Sequence, residues 1–179
     1  MKKLILLLLL PAVLVSCSSR KGELGERIEK MKETAEFGTV EYTIKKIIKA
    51  NDVRMLAIGD RKILFSCTAY LKAGIDLNDF CMDSVSIANN AITVSLPHAK
   101  LLSLNMPADE IELVYDHVSF FRKGFSSEDR LNLLAQGEAD INNDVVNLGI
   151  IEDAENNTRE LFTAMLKQMG FETINIEFR

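Results

Sequence analysis

The sequence predicts an α+β fold: an antiparallel β-sheet packed against C-terminal α-helices, with a short N-terminal amphipathic helix. Two patterns carry this reading. Apolar and polar residues alternate through much of residues 39–96 and again at 173–178, the period of half-buried strands. From Ser126 onward apolar residues recur every three or four positions, the period of a helix. Strands and helices segregated along the chain favour α+β over repeated βαβ units. With 179 residues, 47% hydrophobic and 26% charged, the chain is long enough to bury a core.

Leu24, Ile28, Met31 and Ala35 recur at helical spacing among charged residues, which predicts a short amphipathic helix ending before Gly38. Val40, Tyr42 and Ile44 then alternate as a strand. Ile63, Phe65, Cys67, Ala69, Leu71 and Ala73 form a longer alternating run that ends at Gly74. Val85 and Ile87, then Ile92, Val94 and Leu96, flank Asn89-Asn90. Asn tolerates the positive φ of a tight hairpin, and a two-residue turn there pairs Ile87 with Ile92 and Val85 with Val94. Pro97 closes the strand because it cannot donate to a ladder. Ile111, Leu113 and Tyr115 favour a further strand after the Met106-Pro107 turn, although a helix also fits residues 98–125.

Ser126 with Asp129 three residues on makes a capping box. Leu131, Leu134, Ile141, Val145 and Leu148 follow on one stripe, continued by Ile151, Ala154, Leu161, Phe162, Met165, Leu166 and Met169. Gly149 and Asn156-Asn157 weaken the middle, so the pattern predicts two helices or one kinked near Gly149. Gly170 stands where a helix terminus takes a left-handed residue. The tail Thr173 to Phe178 alternates and reads as a last strand returning to the sheet.

The first residues have a different character. Lys2 and Lys3 precede an apolar run of 12 residues, Leu4 to Val15, whereas a membrane-spanning helix needs about 20. The run ends in Leu14-Val15-Ser16-Cys17, which resembles the lipobox of bacterial lipoproteins. That resemblance implies that Cys17 carries diacylglycerol, is cut free of Ser16 and is acylated on its new amine. Several acyl chains hold a protein on a bilayer durably. The expected organisation is a signal peptide at 1–16, a lipidated cysteine, tether and short helix at 17–37, and a single α+β domain at 38–179. Ser18 follows the cysteine where the inner-membrane retention signal of enteric bacteria has Asp, which favours the outer membrane.

Net charge is −5, and losing Lys2 and Lys3 with the signal takes it to −7. Acidity of this kind argues against nucleic-acid binding. The excess lies in residues 126–179, with 4 basic and 11 acidic side chains, while residues 17–125 balance at 15 of each. The expected partners are therefore a membrane, through the N-terminal lipid, and an envelope protein on the acidic C-terminal helices.

No residue set compels a reaction. His98 and His117 have no metal-ligand neighbour at strand or helix spacing, and no HExxH, CxxC, GxSxG or phosphate-cradling loop is present. Asp140-x-Asn142-x-Asp144 begins like a calcium loop, but Val145 replaces its glycine and Ile151 its final glutamate. No metal or cofactor is expected. Asp76, Asp79 and Asp83 are the first places to look for acid–base chemistry, against the ordinary use of Asp in a turn. Cys67 reads as a small buried hydrophobe, and a disulfide to Cys81 stays open in an exported chain.

Several strings together resemble a known family. They are Lys72-Ala73-Gly74-Ile75-Asp76-Leu77, the strand from Ile92 to Pro97, Asn105-Met106-Pro107, Phe125 with the helix start from Glu128 to Gln136, and Gly170-Phe171. In this order they are similar to the bacterial lipoprotein family catalogued as domain of unknown function 4230, found in Bacteroides-type envelope proteins. The resemblance runs from about Gly38 to the C-terminus. It implies an α+β envelope domain and supplies no catalytic residues. The expected function is a lipid-anchored, non-catalytic binding or assembly module. An envelope enzyme with an unmarked site and a small-ligand or lipid carrier are the alternatives.

Overall fold

The computed structural model describes residues 21–30, 32–33, 36–53 and 58–179. The signal segment, Cys17 and the tether lie outside the described residues, as do Met31 and Ala35 of the first helical stripe. Residues 21–30 form α1. Among the described residues seven strands follow: β1 (Glu36–Val53), β2 (Asp60–Asp76), β3 (Val85–Ala88), β4 (Ala91–Leu96), β5 (Lys100–Asn105), β6 (Ile111–Val118) and β7 (Thr173–Phe178). Between β6 and β7 run α2 (Ser127–Asp144) and α3 (Ile150–Gln168). The fold is α+β, as the segregated periods predict.

Contacts group the chain into two compact units. One holds the residues up to Val40 with Gly74–Lys100 and Glu152–Arg179, and the other holds Glu41–Ala73 with Leu101–Ile151. The strands form two sheets. In one, β2 pairs with β1, β5 and β6; in the other, the order is β3-β4-β7.

The first unit is built on the β3–β4 hairpin. Asn89 takes φ 56° in the turn, and Val85 pairs with Val94 and Ile87 with Ile92, the register that the turn chemistry requires. β7 then lies on the other side of β4 and runs parallel to it, with Ile174 opposite Ile92 and Ile176 opposite Val94. This parallel pair joins the antiparallel β3–β4 hairpin. Alternation reports which face is buried and carries no strand direction. α3 buries Ala154, Thr158, Phe162 and Leu166, a four-residue stripe along one face. Its terminus is a Schellman motif: Gly170 adopts φ 86°, its N–H donates to Lys167 O, and Phe171 N–H donates to Leu166 O. Leu24 and Ile28 of α1 are buried as their spacing predicts.

The second unit packs α2 onto the long hairpin. Ile63, Phe65 and Cys67 of β2 form a core with Ile48 of β1, covered by Ile111, Phe125, Leu133 and Leu134. β2 does not end at Gly74 but runs on to Asp76, with Ala73, Gly74 and Ile75 all buried. Gly137 lets α2 approach β1 closely, since a Cβ there would run into the Ile48 side chain. The capping box at Ser126 and Asp129 is formed by both reciprocal hydrogen bonds and contributes about 1 kcal/mol. α2 ends at Asp144, a 3₁₀ turn carries the chain to Gly149 at φ 77°, and α3 begins there, so the break falls where the glycine predicts it.

Two expectations are corrected and one open region is resolved. Leu131 is not on the core stripe: it is 67% exposed, and Leu133 takes the inward place beside Leu134. Leu113 and Tyr115 belong to a strand but lie exposed: Leu113 stands opposite Phe65, and a bulge then shifts the register before Tyr115 meets Leu64. Lys100–Asn105 is also a strand, although Leu101-Leu102-Ser103-Leu104 lacks strict alternation.

Candidate functional site

The sequence-derived acidic candidates are occupied with holding the fold. Asp76 caps the 3₁₀ turn Leu77–Asp79 by accepting from the Asn78 backbone N–H at 3.0 Å. Lys100 Nζ then bridges Asp76 at 3.2 Å and Asp79 at 3.0 Å. The Asn78 N–H and the Lys100 ammonium hold the Asp76 carboxyl below its usual range, whereas a neutral-pH proton donor needs the opposite shift. Asp83 sits in a second 3₁₀ turn, Met82–Ser84.

His98 Nδ1 lies 2.8 Å from Glu155, and His117 Nε2 lies 3.9 Å from Asp60. Among the described residues, no group of three or more His, Cys, Asp or Glu side chains converges as a metal site. No described helix is long and apolar enough to cross a membrane.

Cys67 and Cys81 are not joined. Cys67 is buried in β2 and Cys81 is exposed, and both are free thiols. Burial pushes the Cys67 thiol up, away from the reactive thiolate. A thiol reagent applied without reductant is therefore expected to label Cys81 in the native protein and Cys67 only after denaturation. Labelling of neither thiol in denaturant would show that they are bridged.

The feature that stands out chemically is one that sequence patterning did not single out. After β6 the chain turns sharply: Arg122 N–H donates to Ser119 O at 2.8 Å, closing a β-turn whose two corner residues are Phe120 and Phe121. Turn corners are normally Gly, Pro, Asn, Asp or Ser. Here the rings are 94% and 75% exposed and pack edge to face at 5.1 Å. Ile58, 76% exposed, precedes Gly59, whose carbonyl accepts from Arg122 Nη1.

This apolar tip is fastened from below. Ser119 Oγ accepts from the Asp60 N–H at 3.0 Å and donates to Asp60 Oδ1. Arg122 reaches Asp52 at 2.9 Å and is only 9% exposed. Arg61, 14% exposed, donates to Asp52 at 2.8 Å, to Asp129 at 3.2 Å and to Gly124 O at 3.2 Å. Its guanidinium also stacks over the Phe125 ring at 4.4 Å. Asp129 is held below its usual range, first by the Ser126 N–H and then by Arg61. The ion network thus ties β1, β2 and the start of α2 to the segment that presents the two rings.

The sequence model of a family described as protein of unknown function (DUF4230) matches residues 29–176. The chain belongs to the DUF4230 family. The match begins within α1, earlier than the Gly38 boundary suggested by the motifs, and takes in both compact units of this DUF4230 chain. No curated protein and no solved structure matches it. The aromatic turn lies inside the matched segment.

Residues 120–123 read Phe-Phe-Arg-Lys, and the two adjacent aromatics between a strand and a capping box were the available signal for this site. Strand and helix periodicities leave such a pair unassigned. Arg61 and Asp52 carry no local signal, because their meeting depends on the β1–β2 pairing.

Proposed function

We propose that this protein is a lipid-anchored component of the bacterial cell envelope, of the Bacteroides lipoprotein type, and acts as a non-catalytic interaction module. The observation that carries the reading is the amino-terminal sequence. Two lysines, an apolar run too short to span a bilayer and the string Leu14-Val15-Ser16-Cys17 together match what export and lipidation require. Ser18 favours outer-membrane sorting.

The interaction surface in this reading is the Phe120–Phe121 turn. Exposed aromatic rings held in a fixed geometry lose little entropy on association, and adjacent exposed apolar side chains rimmed by polar residues supply the apolar area of a contact. The Asp76–Lys100–Asp79 cluster supports the non-catalytic part, since its carboxylates serve as cap and ion-pair partners.

The test is fatty-acid labelling in a bacterial host that expresses the full chain. An alkyne-bearing fatty acid is expected to label the membrane-bound protein and to be lost with Cys17→Ala. Equal labelling of both proteins, or of neither, would contradict the anchor.

A further inference from the structure

We infer that the Phe120–Phe121 turn is a second membrane contact, which places its two rings in the interfacial layer of an anionic phospholipid bilayer beside a cationic cleft that receives a lipid phosphate. The inference rests on the lipid-anchored reading, which holds the protein near such a surface. It adds what the exposed turn touches.

Shape and chemistry select a bilayer. The rings form the corner of a tight turn, so they project as a wedge: Phe120 is 94% exposed, and Phe121 turns one edge to the cleft beside it. Their side chains carry no polar atom, and an occupant need supply only apolar surface. Lipid offers that without a matching pocket. The Arg122 N–H is already satisfied by Ser119 O, so entry of the turn into the interface leaves that donor paired. The ion network below fixes the turn before contact, which limits the ordering cost.

Charge points the same way. A cleft of about 400 Å³ beside the rings is lined by Arg61, Phe121, Arg122, Lys123, Ser126 and Asp129. With Asp52, which pairs with both arginines, this cluster sets three cations against two carboxylates and keeps one positive charge in excess. Arg61 is engaged with Asp52 and Asp129 and Arg122 with Asp52, so the excess charge is that of Lys123, which is exposed and forms no ion pair with the described residues. Its ammonium is available to a lipid phosphate where the rings meet the acyl region. Apolar residues flanked by Lys and Arg are the composition of interfacial membrane contacts.

The chain has no tryptophan, so Phe120→Trp installs a single fluorescent probe at the corner of the turn. The experiment uses the chain from residue 17 onward with Cys17→Ser, which has no acyl chains to mask weaker contacts. With vesicles of equimolar phosphatidylglycerol and phosphatidylcholine, the tryptophan emission is expected to shift to the blue and the protein to co-sediment. The double variant Phe120→Asp, Phe121→Asp is expected to bind these vesicles at least about tenfold more weakly with its thermal unfolding unchanged. Lys123→Glu is expected to weaken binding to the anionic vesicles severalfold and to leave binding to pure phosphatidylcholine unchanged. Inorganic phosphate alone is expected to leave the emission where it was.

Unshifted emission at saturating anionic vesicles, or equal binding by the double aspartate variant, would overturn the proposal. Equal affinity for neutral and anionic vesicles would overturn the headgroup assignment, and a blue shift produced by an envelope protein but by no vesicle would replace lipid with that protein. Fatty-acid labelling at Cys17 reads the anchor separately, so either claim can fail while the other stands.

Discussion

Replacing Phe162 with alanine is expected to remove about 3–5 kcal/mol of folding stability. Phe162 is fully buried on the Ala154–Thr158–Phe162–Leu166 face of α3. Its ring meets Phe37 edge to face, with centroids 5.3 Å apart and planes at 86°. Truncation loses that contact and leaves a cavity which the flanking helix and strand close only in part. Denaturant unfolding measures it, and Leu161→Ala is the control. Leu161 neighbours Phe162 in sequence but is 44% exposed, so its truncation should cost much less. Equal midpoints for the two variants would contradict the burial of Phe162 against Phe37.

Replacing Arg61 with leucine is the second large effect, expected at about 2–3 kcal/mol. The variant loses the hydrogen bonds to Asp52, Asp129 and Gly124 O together with the stack on Phe125. Leucine supplies apolar volume, but Asp52 and Asp129 remain in place and lose a partner. Arg61→Lys should recover only part of the loss, because an ammonium cannot reproduce the guanidinium fork or its planar stack. Unfolding by urea reads the stability, and proteolysis within residues 119–126 reads whether the aromatic turn has loosened. The network also has a pH signature. Asp129 has a lowered folded pKa, so its contribution is present above the unfolded carboxylate range and is lost as pH falls through the lowered folded value. Asp129→Asn should therefore lose less stability on acidification than the parent. Unchanged resistance of Arg61→Leu to both urea and protease would show that the network does not hold the turn.

Much of the fold is legible in local sequence. The β3–β4 register follows from Asn89-Asn90 and the phase of four apolar residues, and the α2 start follows from Ser126 and Asp129. The break at Gly149 and the stop at Gly170 need only the preference of glycine for positive φ. What local sequence does not carry is pairing at a distance. That β7 runs parallel to β4, that the strands divide into two sheets, and that β2 continues through Gly74 all depend on long-range partners. The site is hidden for the same reason. Arg61 and Asp52 become neighbours of Arg122 and Asp129 only when the β1–β2 hairpin and the segment after β6 have come together. Asp76 and Asp79 were conspicuous because carboxylates cluster near a glycine, yet their neighbour Lys100 turns them into a cap and a bridge. Phe120 and Phe121 fit neither a strand period nor a helix period, and that misfit was the legible trace of the exposed turn.

The proposed anchor requires that the mature chain begin at a lipid-modified Cys17. Mass spectrometry of the amino-terminal peptide from protein extracted from bacterial membranes tests it most directly. The expected species starts at Cys17, with diacylglycerol on the sulfur and an acyl group on the amine. A peptide that retains Leu14-Val15-Ser16 ahead of an unmodified Cys17 would contradict it.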